Sequence, residues 1–283
     1  MKKNIIIVRG GGDIATGTIY KLHQSGYPVL VTEIANPSAI RRQVAFSEAV
    51  YEKSYTVECV TCYFAENLTR AYELLKQRKV ALMIDPDGAV IREVKPAAVV
   101  DGILAKKNLG TIMDMAPFTV ALGPGFTAGV DVHAVVETMR GHKLGRIIYE
   151  GNAIPNTGIP GAIAGVAKER VIHAECAGIL YGEKKISDYV QKDEVIAFIY
   201  PDTQGKDASG QEKKDGAFAV RATISGILRG LIRDGYPVTK GFKIADIDPR
   251  ESEYENCFTI SDKARCIAGG VLEALLHAGI LPE

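Results

Sequence analysis

The sequence predicts an α/β protein, a parallel sheet with helices in the first half followed by a β-rich second half and a closing helix. Three observations carry this. A strand, a glycine turn and a helix start occur in that order twice before residue 140. From Val171 the texture changes to short strands and turns that repeat without a gap. After Ser261 an apolar stripe recurs at helical spacing. The expected divisions are 1–165, 166–250 and 251–283, the last packing back on the body.

Composition narrows the function classes. Of 283 residues, 47% are hydrophobic and 24% charged, ordinary for a globular chain. Lys plus Arg equals Asp plus Glu at 34 each, so no overall field draws the protein to nucleic acid or to an anionic membrane. No apolar run approaches the roughly 18–20 residues a membrane span needs. The opening MKKNIIIVRGGG lacks the long apolar core and cleavage site of a secretory signal, so it reads as a buried strand and the protein as cytoplasmic. Five cysteines, one of them necessarily odd, do not resemble a secreted disulfide framework.

The first βαβ unit runs from strand Ile5–Val8 through helix Ile14–Gln24 to strand Tyr27–Thr32, which closes on Glu33. Gly10, Gly12 and Ala15 fit G-x-G-x-x-A, and Glu33 lies 23 positions after Gly10 (33 minus 10), near where Rossmann-like folds place the acid that holds a ribose hydroxyl. Backbone N–H groups of Gly10, Gly11, Gly12 and Asp13 at a helix start would cradle a phosphate. A plain tight turn is the alternative. Arg41 and Arg42 follow on an expected helix from Pro37. They read either as a solvated basic pair or as partners for a second phosphate.

An expected third strand, Tyr55–Val60, ends in Cys59-Val-Thr-Cys62. That spacing suits a redox pair, a metal half-site or a sulfur carrier, with buried, inert cysteines as the alternative. No second cysteine pair lies at metal spacing, and no metal is predicted. Helix Glu66–Arg78, strand Val80–Ile84 with a turn at Asp85–Gly88, helix Pro96–Ala105 and strand Phe118–Leu122 follow. The second glycine turn contains Gly123 and Gly125, and a helix is expected at Val130–Met139. On it His133 and Glu137, four apart, would share a face, as an ion pair more readily than as a metal or general-base site. After strand Arg146–Tyr149, a loop carrying Asn156, Thr157 and Gly158 serves as both linker and binding loop.

The second-half repeat aligns Ala174 with Ala222, Gly178 with Gly226 and Ile196 with Ile244, an offset of 48 (226 minus 178). This pattern resembles the barrel-sandwich hybrid fold of lipoyl and biotinyl carrier domains. The resemblance would place a carrier lysine in the junction 201–216, where Lys206, Lys213 and Lys214 stand, but none has methionine neighbours. A structural or interface domain is the default reading.

Across nearly its full length the chain resembles the YqeB-type accessory proteins of selenium-dependent molybdenum hydroxylases, more distantly the XdhC/CoxI maturation factors. The residues that carry this are VRGGGDIATG (8–17), RR (41–42), ALGPGFTAGVDVH (121–133), ETMRGHKLGR (137–146), NTGIPG (156–161), SGILRGLIRDG (225–235) and DIDPR (246–250). The resemblance implies a helper that binds a molybdopterin-type cofactor or a nucleotide and assists insertion or sulfur or selenium loading, with Cys59 and Cys62 as carriers. It implies hydroxylase subunits or other maturation proteins as partners; self-association stays open. An NAD(P)-dependent oxidoreductase and a non-enzymatic scaffold are the alternatives.

Overall fold

A computed structural model describes residues 4–158, 165–201 and 216–282. Two compact units interleave along the chain. The first contains residues 1–37, 44–157 and 259–283, and the second contains 38–43 and 158–258. Lys206, Lys213 and Lys214 lie outside the described residues, as does the end of the NTGIPG stretch.

The first unit is organised by β1 (Ile6–Arg9), α1 (Asp13–Gln24) and β2 (Val29–Glu33). A short α2 (Ala49–Glu52) leads to a hairpin of β3 (Ser54–Val57) and β4 (Val60–Phe64). Then come α3 (Leu68–Lys76), β5 (Val80–Ile84), α4 (Val90–Val94), β6 (Ala98–Asp101) and β7 (Phe118–Leu122). Short strands β8 (Thr127–Ala128), β9 (Ala134–Val136), β10 (Ile147–Ile148) and β11 (Gly151–Asn152) complete it, with α5 (Asp262–His277) returning from the end of the chain. Nine strands form one sheet in the order β10-β9-β7-β6-β1-β2-β5-β4-β3.

Two expected helices are strands. Ala98–Asp101 is buried at every position between β1 and β7, and so is Ala134–Val136 at β9. Continuous burial of β-branched Val99, Val100, Val135 and Val136 suits a strand flanked on both sides, not one face of a helix. His133 and Glu137 therefore do not share a helix face. The expected Tyr55–Val60 strand is the β3–β4 hairpin, turning at Glu58 and Cys59. Terminal helix α5 matches the expectation, and the Ser261 side chain accepts from Ala264 N–H as its cap.

The expected fold class needs correction in both domains. The sheet is mixed, because edge strands β3 and β10 run antiparallel to their neighbours. The β6–β7 and β7–β9 connections carry no α-helix, so it is not the expected Rossmann-like parallel sheet with a helix in every crossover. Instead α5 packs against α1, β7, β9 and β10, and its Ala264, Ile267, Val271 and Leu275 join the core of β1, β2 and β7. That placement explains the apolar stripe: the sheet face that no local crossover helix covers is covered from the end of the chain.

The second unit holds two four-stranded antiparallel sheets, not the expected lipoyl/biotinyl-like barrel-sandwich domain. One has the order β12-β19-β17-β14 and the other β16-β15-β13-β18. Their strands are β12 (Val171–His173), β13 (Gly178–Gly182), β14 (Tyr189–Val190), β15 (Val195–Tyr200), β16 (Phe218–Arg221), β17 (Gly226–Leu231), β18 (Tyr236–Val238) and β19 (Lys243–Asp248). The repeats exchange strands. β14 pairs with β17, and β18 pairs with β13. Gly178 and Gly226 are equivalent, with φ of +156° and +154°, and a Cβ on either would collide with the carbonyl of Tyr200 or Asp248. Buried Asp246 accepts from Arg170 and Arg229, and Asp248 accepts from Arg250 at 2.9–3.0 Å.

Candidate functional site at the carboxyl edge of the sheet

Because β1, β2, β5, β6, β7 and β9 run parallel, one edge of the first unit collects Gly10, Glu33, Asp85, Asp101, Gly123 and Glu137. The first glycine turn joins β1 to α1 there. Gly10 has φ +90° and backs onto Gly102 and Ile103, so it supplies both a left-handed φ and a close approach. A Cβ on Gly11 would lie 3.0 Å from Ser47 N, whereas one on Gly12 would meet nothing within 4 Å. Gly12 caps α1 with no side-chain hydrogen bond. Asp13 opens the helix.

Glu33 reaches the turn from the end of β2. One oxygen accepts from Gly11 N–H and the other from Ile34 N–H, each at 2.8 Å. Burial pushes its carboxyl above the usual range, and the two backbone donors pull it partly back. Each oxygen keeps a further lone pair for a ligand hydroxyl.

Beneath the turn lies a network that the sequence reading missed. Arg9, 2% exposed, donates to the Thr111 hydroxyl at 2.5 Å and to the Pro86 carbonyl at 3.1 Å. Thr111 donates to Asp101, which also accepts from Ile103 N–H. One guanidinium thus ties the loops after β1, β5 and β6 together. Burial raises the Asp101 carboxyl, against the Thr111, Ile103 and Arg9 contacts that lower it. The available signal was an arginine closing an apolar strand, a position where a charge must be paired if it is buried.

The second glycine turn is filled by the protein itself. Gly125, with φ +112°, abuts the Lys106–Lys107 backbone, and Gly123 N–H donates to Val136 O at 2.9 Å. Asp131 accepts from Thr127 N–H at 2.7 Å, and the Asn152 amide donates to Phe126 O and to the Thr127 hydroxyl. Asn156, Thr157 and Gly158 are exposed. Arg41 and Arg42 belong to the second unit, where they donate to the Asn256 and Leu231 carbonyls at 3.0 Å each. His133 Nδ1 accepts from Thr119 N–H at 3.0 Å. Among the described residues no group of three or more His, Cys, Asp or Glu side chains is placed to hold a metal, and no helix is long and apolar enough to cross a membrane.

A charged cluster at the start of α5 was also missed. Lys263 is half-buried among Asp13, Glu137, Arg140 and Asp262. Burial lowers its pKa and Arg140 adds to this, while the three acids oppose it. Arg140 pairs with Asp262 at 2.9 Å. The Glu137 oxygens accept from Met139 and Ile154 N–H. In the sequence, Lys263 reads as an ordinary first-turn residue of a surface helix. Only the packing of α5 on α1, where Ala264 abuts Gly17, brings it to this edge.

The two cysteines of the C-x-x-C stretch have different surroundings. Cys62 is fully buried on β4, and burial raises its thiol pKa far above the ordinary value. Cys59 is exposed on the hairpin turn, where the Tyr20 hydroxyl and the Gln24 amide each lie 3.1 Å from its Sγ. The hydrogen bond to Cys59, then burial, raises the Tyr20 phenol above its ordinary value. Tyr20 and Gln24, with Lys21 and Arg265, also line a shallow cavity of about 260 Å³. Arg265 grips Glu58 at 2.6 and 2.7 Å.

Over 98% of its length the chain is homologous to YqeB of Escherichia coli strain K12, an uncharacterized protein. The two are 46% identical over 279 residues, and the chain spans about half (48%) of that relative. The expected likeness to YqeB thus extends along this chain, which corresponds to about half of that relative. Residues 35–105 also match the family described as photosystem I reaction centre subunit N, a stretch too short to define a family for the whole. Among solved structures, a succinylglutamate desuccinylase/aspartoacylase from Rhodobacter sphaeroides is 12% identical, covering 88% of this chain and 86% of its own, with TM-score 0.29. An aspartoacylase family protein from Mesorhizobium loti is 10% identical, covering 87% and 85%, with TM-score 0.27. The ectoine utilization protein EutE (DoeB) from Ruegeria pomeroyi is 12% identical, covering 86% and 57%, with TM-score 0.24. Likeness at this level carries no argument about activity.

Proposed function

We propose that the chain is a cofactor-handling accessory protein. It binds a phosphate-bearing molybdopterin-type cofactor or nucleotide and assists its insertion, or its sulfur or selenium loading, in selenium-dependent molybdenum hydroxylases. A distant kinship to the XdhC/CoxI maturation factors belongs to the same reading. The observation that carries it is the open glycine turn. Helix α1 has no side-chain cap, space stands in front of Gly12, and an acid able to take hydroxyls lies beside it. Gly10, Gly11, Gly12, Asp13 and Glu33 are the residues that would hold the guest. The partners are hydroxylase subunits or other maturation proteins.

Loading is assigned to Cys59. Its Sγ is exposed on the hairpin turn with the Tyr20 hydroxyl and the Gln24 amide each 3.1 Å away, and as a thiolate it would attack the outer sulfur of a persulfide donor. The donor's sulfur–sulfur bond breaks as the new one forms, the donor thiolate leaves, and no net oxidation occurs. Cys62, enclosed in the core, serves packing.

The test is titration calorimetry of the purified protein with a molybdopterin-type cofactor, with nucleotides and with NAD(P)(H), beside hydroxylase activation in a host carrying Cys59→Ser. Binding of the pterin or nucleotide and loss of activation support the reading. Tight NAD(P)(H) binding alone would replace it with the oxidoreductase alternative. Intact activation with Cys59→Ser would end the transfer role.

A further inference from the structure

We infer that the cavity between α1 and α5 is where the sulfur donor for Cys59 docks, and that this donor is a small molecule: a persulfide of amino-acid size that carries a carboxylate. This rests on the loading reading and names the substrate class for it.

The first observation is the cavity. Gly17, Tyr20, Lys21 and Gln24 recur at helical spacing, so one face of α1 lines it, opposite Arg265 and Leu272 of α5. It flanks the later turns of α1, away from the glycine turn at that helix's start. Its volume is about 260 Å³. Sites for drug-sized ligands run to roughly 300–1,000 Å³, so this one is small for a pterin nucleotide and suits a molecule the size of an amino acid.

The second is the thiol at its mouth. The Tyr20 hydroxyl and the Gln24 amide, both from the cavity wall, lie 3.1 Å from the exposed Cys59 Sγ. The turn that carries Cys59 is fastened to the same wall. Glu58, left-handed at φ +54°, accepts from Ile260 N–H at 2.9 Å and from Arg265 at 2.6 and 2.7 Å. Ile260 and Arg265 line the cavity as well. These ties fix the sulfur beside the space a donor would fill, and holding reactants in place lowers the cost of reaction.

The third is charge. Arg265 is occupied by Glu58. Lys21, half-buried in the wall, makes no ion pair or hydrogen bond among the described residues, which leaves its ammonium available to a carboxylate. The C-terminal end of α1 borders the cavity at Gln24 and Ser25 and favours positive charge. A ligand with both a carboxylate and an ammonium, as an amino acid has, suits this wall better than a plain acid. In the transfer the Cys59 thiolate bonds to the donor's outer sulfur and the donor's sulfur–sulfur bond breaks. The amino-acid thiolate leaves, taking from solvent the proton that Cys59 gave up.

The experiment uses symmetric disulfides as donor surrogates on the full chain: cystine, cystamine, which lacks the carboxylates, and 2-hydroxyethyl disulfide, which is uncharged. Each forms a mixed disulfide with Cys59 as one of its own thiolates leaves. Rates at Cys59 are read by peptide mass spectrometry and divided by the rate of each reagent with a small free thiol. By this ratio wild type reacts with cystine at least tenfold faster than with the other two, and the cystine rate saturates. Lys21→Gln lowers the cystine rate at least fivefold and leaves the 2-hydroxyethyl disulfide rate within twofold, a split that general loss of structure would not give. Equal ratios in wild type, or a cystine preference that survives Lys21→Gln, overturn this placement; loss of hydroxylase activation with Cys59→Ser would then leave the loading reading standing. Intact activation with Cys59→Ser overturns both.

Discussion

Replacing Asp246 with alanine tests how the second unit is held together. Asp246 is 2% exposed and accepts from Arg170 and Arg229, themselves largely buried. Burial alone would push its carboxyl up. Arg229, Lys243 and Arg170 more than offset this and hold it below the usual range. Asp246→Ala removes the carboxylate and leaves concentrated positive charge out of water. Breaking one side of a buried ion pair costs about 3–5 kcal/mol. At roughly 4–8 °C per kcal/mol for a domain of about 100 residues, the melting temperature should fall by roughly 12–40 °C. Calorimetry, with hydrogen exchange at β17 and β19 to locate the loss, is the assay. The pH dependence follows the same sign. A carboxyl whose folded pKa is depressed contributes stability above its unfolded pKa of about 3.9, and that contribution fades as pH falls through the folded value. Wild type should therefore lose stability steeply below about pH 4, and the variant less so. A variant melting within about 3 °C of wild type would refute the reasoning, because the network would then contribute nothing net.

Gly178→Ala and Gly226→Ala should each destabilise by about 3 kcal/mol or more, and by similar amounts, since each Cβ meets the carbonyl of a paired strand at equivalent positions; denaturant melts would show this. Iodoacetamide should label Cys59 in the native protein and leave Cys62 untouched until unfolding, as peptide mass spectrometry can read. Gly17→Val should weaken the packing of α5 on α1 by about 1–3 kcal/mol, because its Cβ falls 2.8 Å from the Ala264 carbonyl. Proteolysis of the C-terminal segment should accelerate in step.

Much of the first unit was legible because its signals are local. An apolar run, three glycines and an acid at the end of the next strand specify β1, α1 and β2 with little help from the rest. Val99–Val100 and Val135–Val136 look helical in the sequence because their burial comes from neighbours distant in sequence. A short apolar run cannot declare which neighbours it will have. The 48-residue repeat was visible residue by residue, but strand exchange between its halves is a tertiary fact. At the site, the glycines and Glu33 announced themselves by spacing. Arg9, Ser47, Asp101 and Lys263 did not, since three separate connections and the far end of the chain bring them to one sheet edge. Arg41 and Arg42 follow Glu33 closely in sequence and yet belong to the other unit. Cys59 and Cys62 sit three positions apart across a hairpin, one exposed and one buried, a difference spacing alone does not encode.

The most direct test of the central claim is what the protein carries. The chain is to be purified from a molybdenum- and selenium-replete host, denatured, and the released small molecules identified by mass spectrometry and absorbance. The account predicts a phosphate-bearing pterin or nucleotide. No released ligand from wild type, together with no binding when such ligands are titrated back, would contradict it.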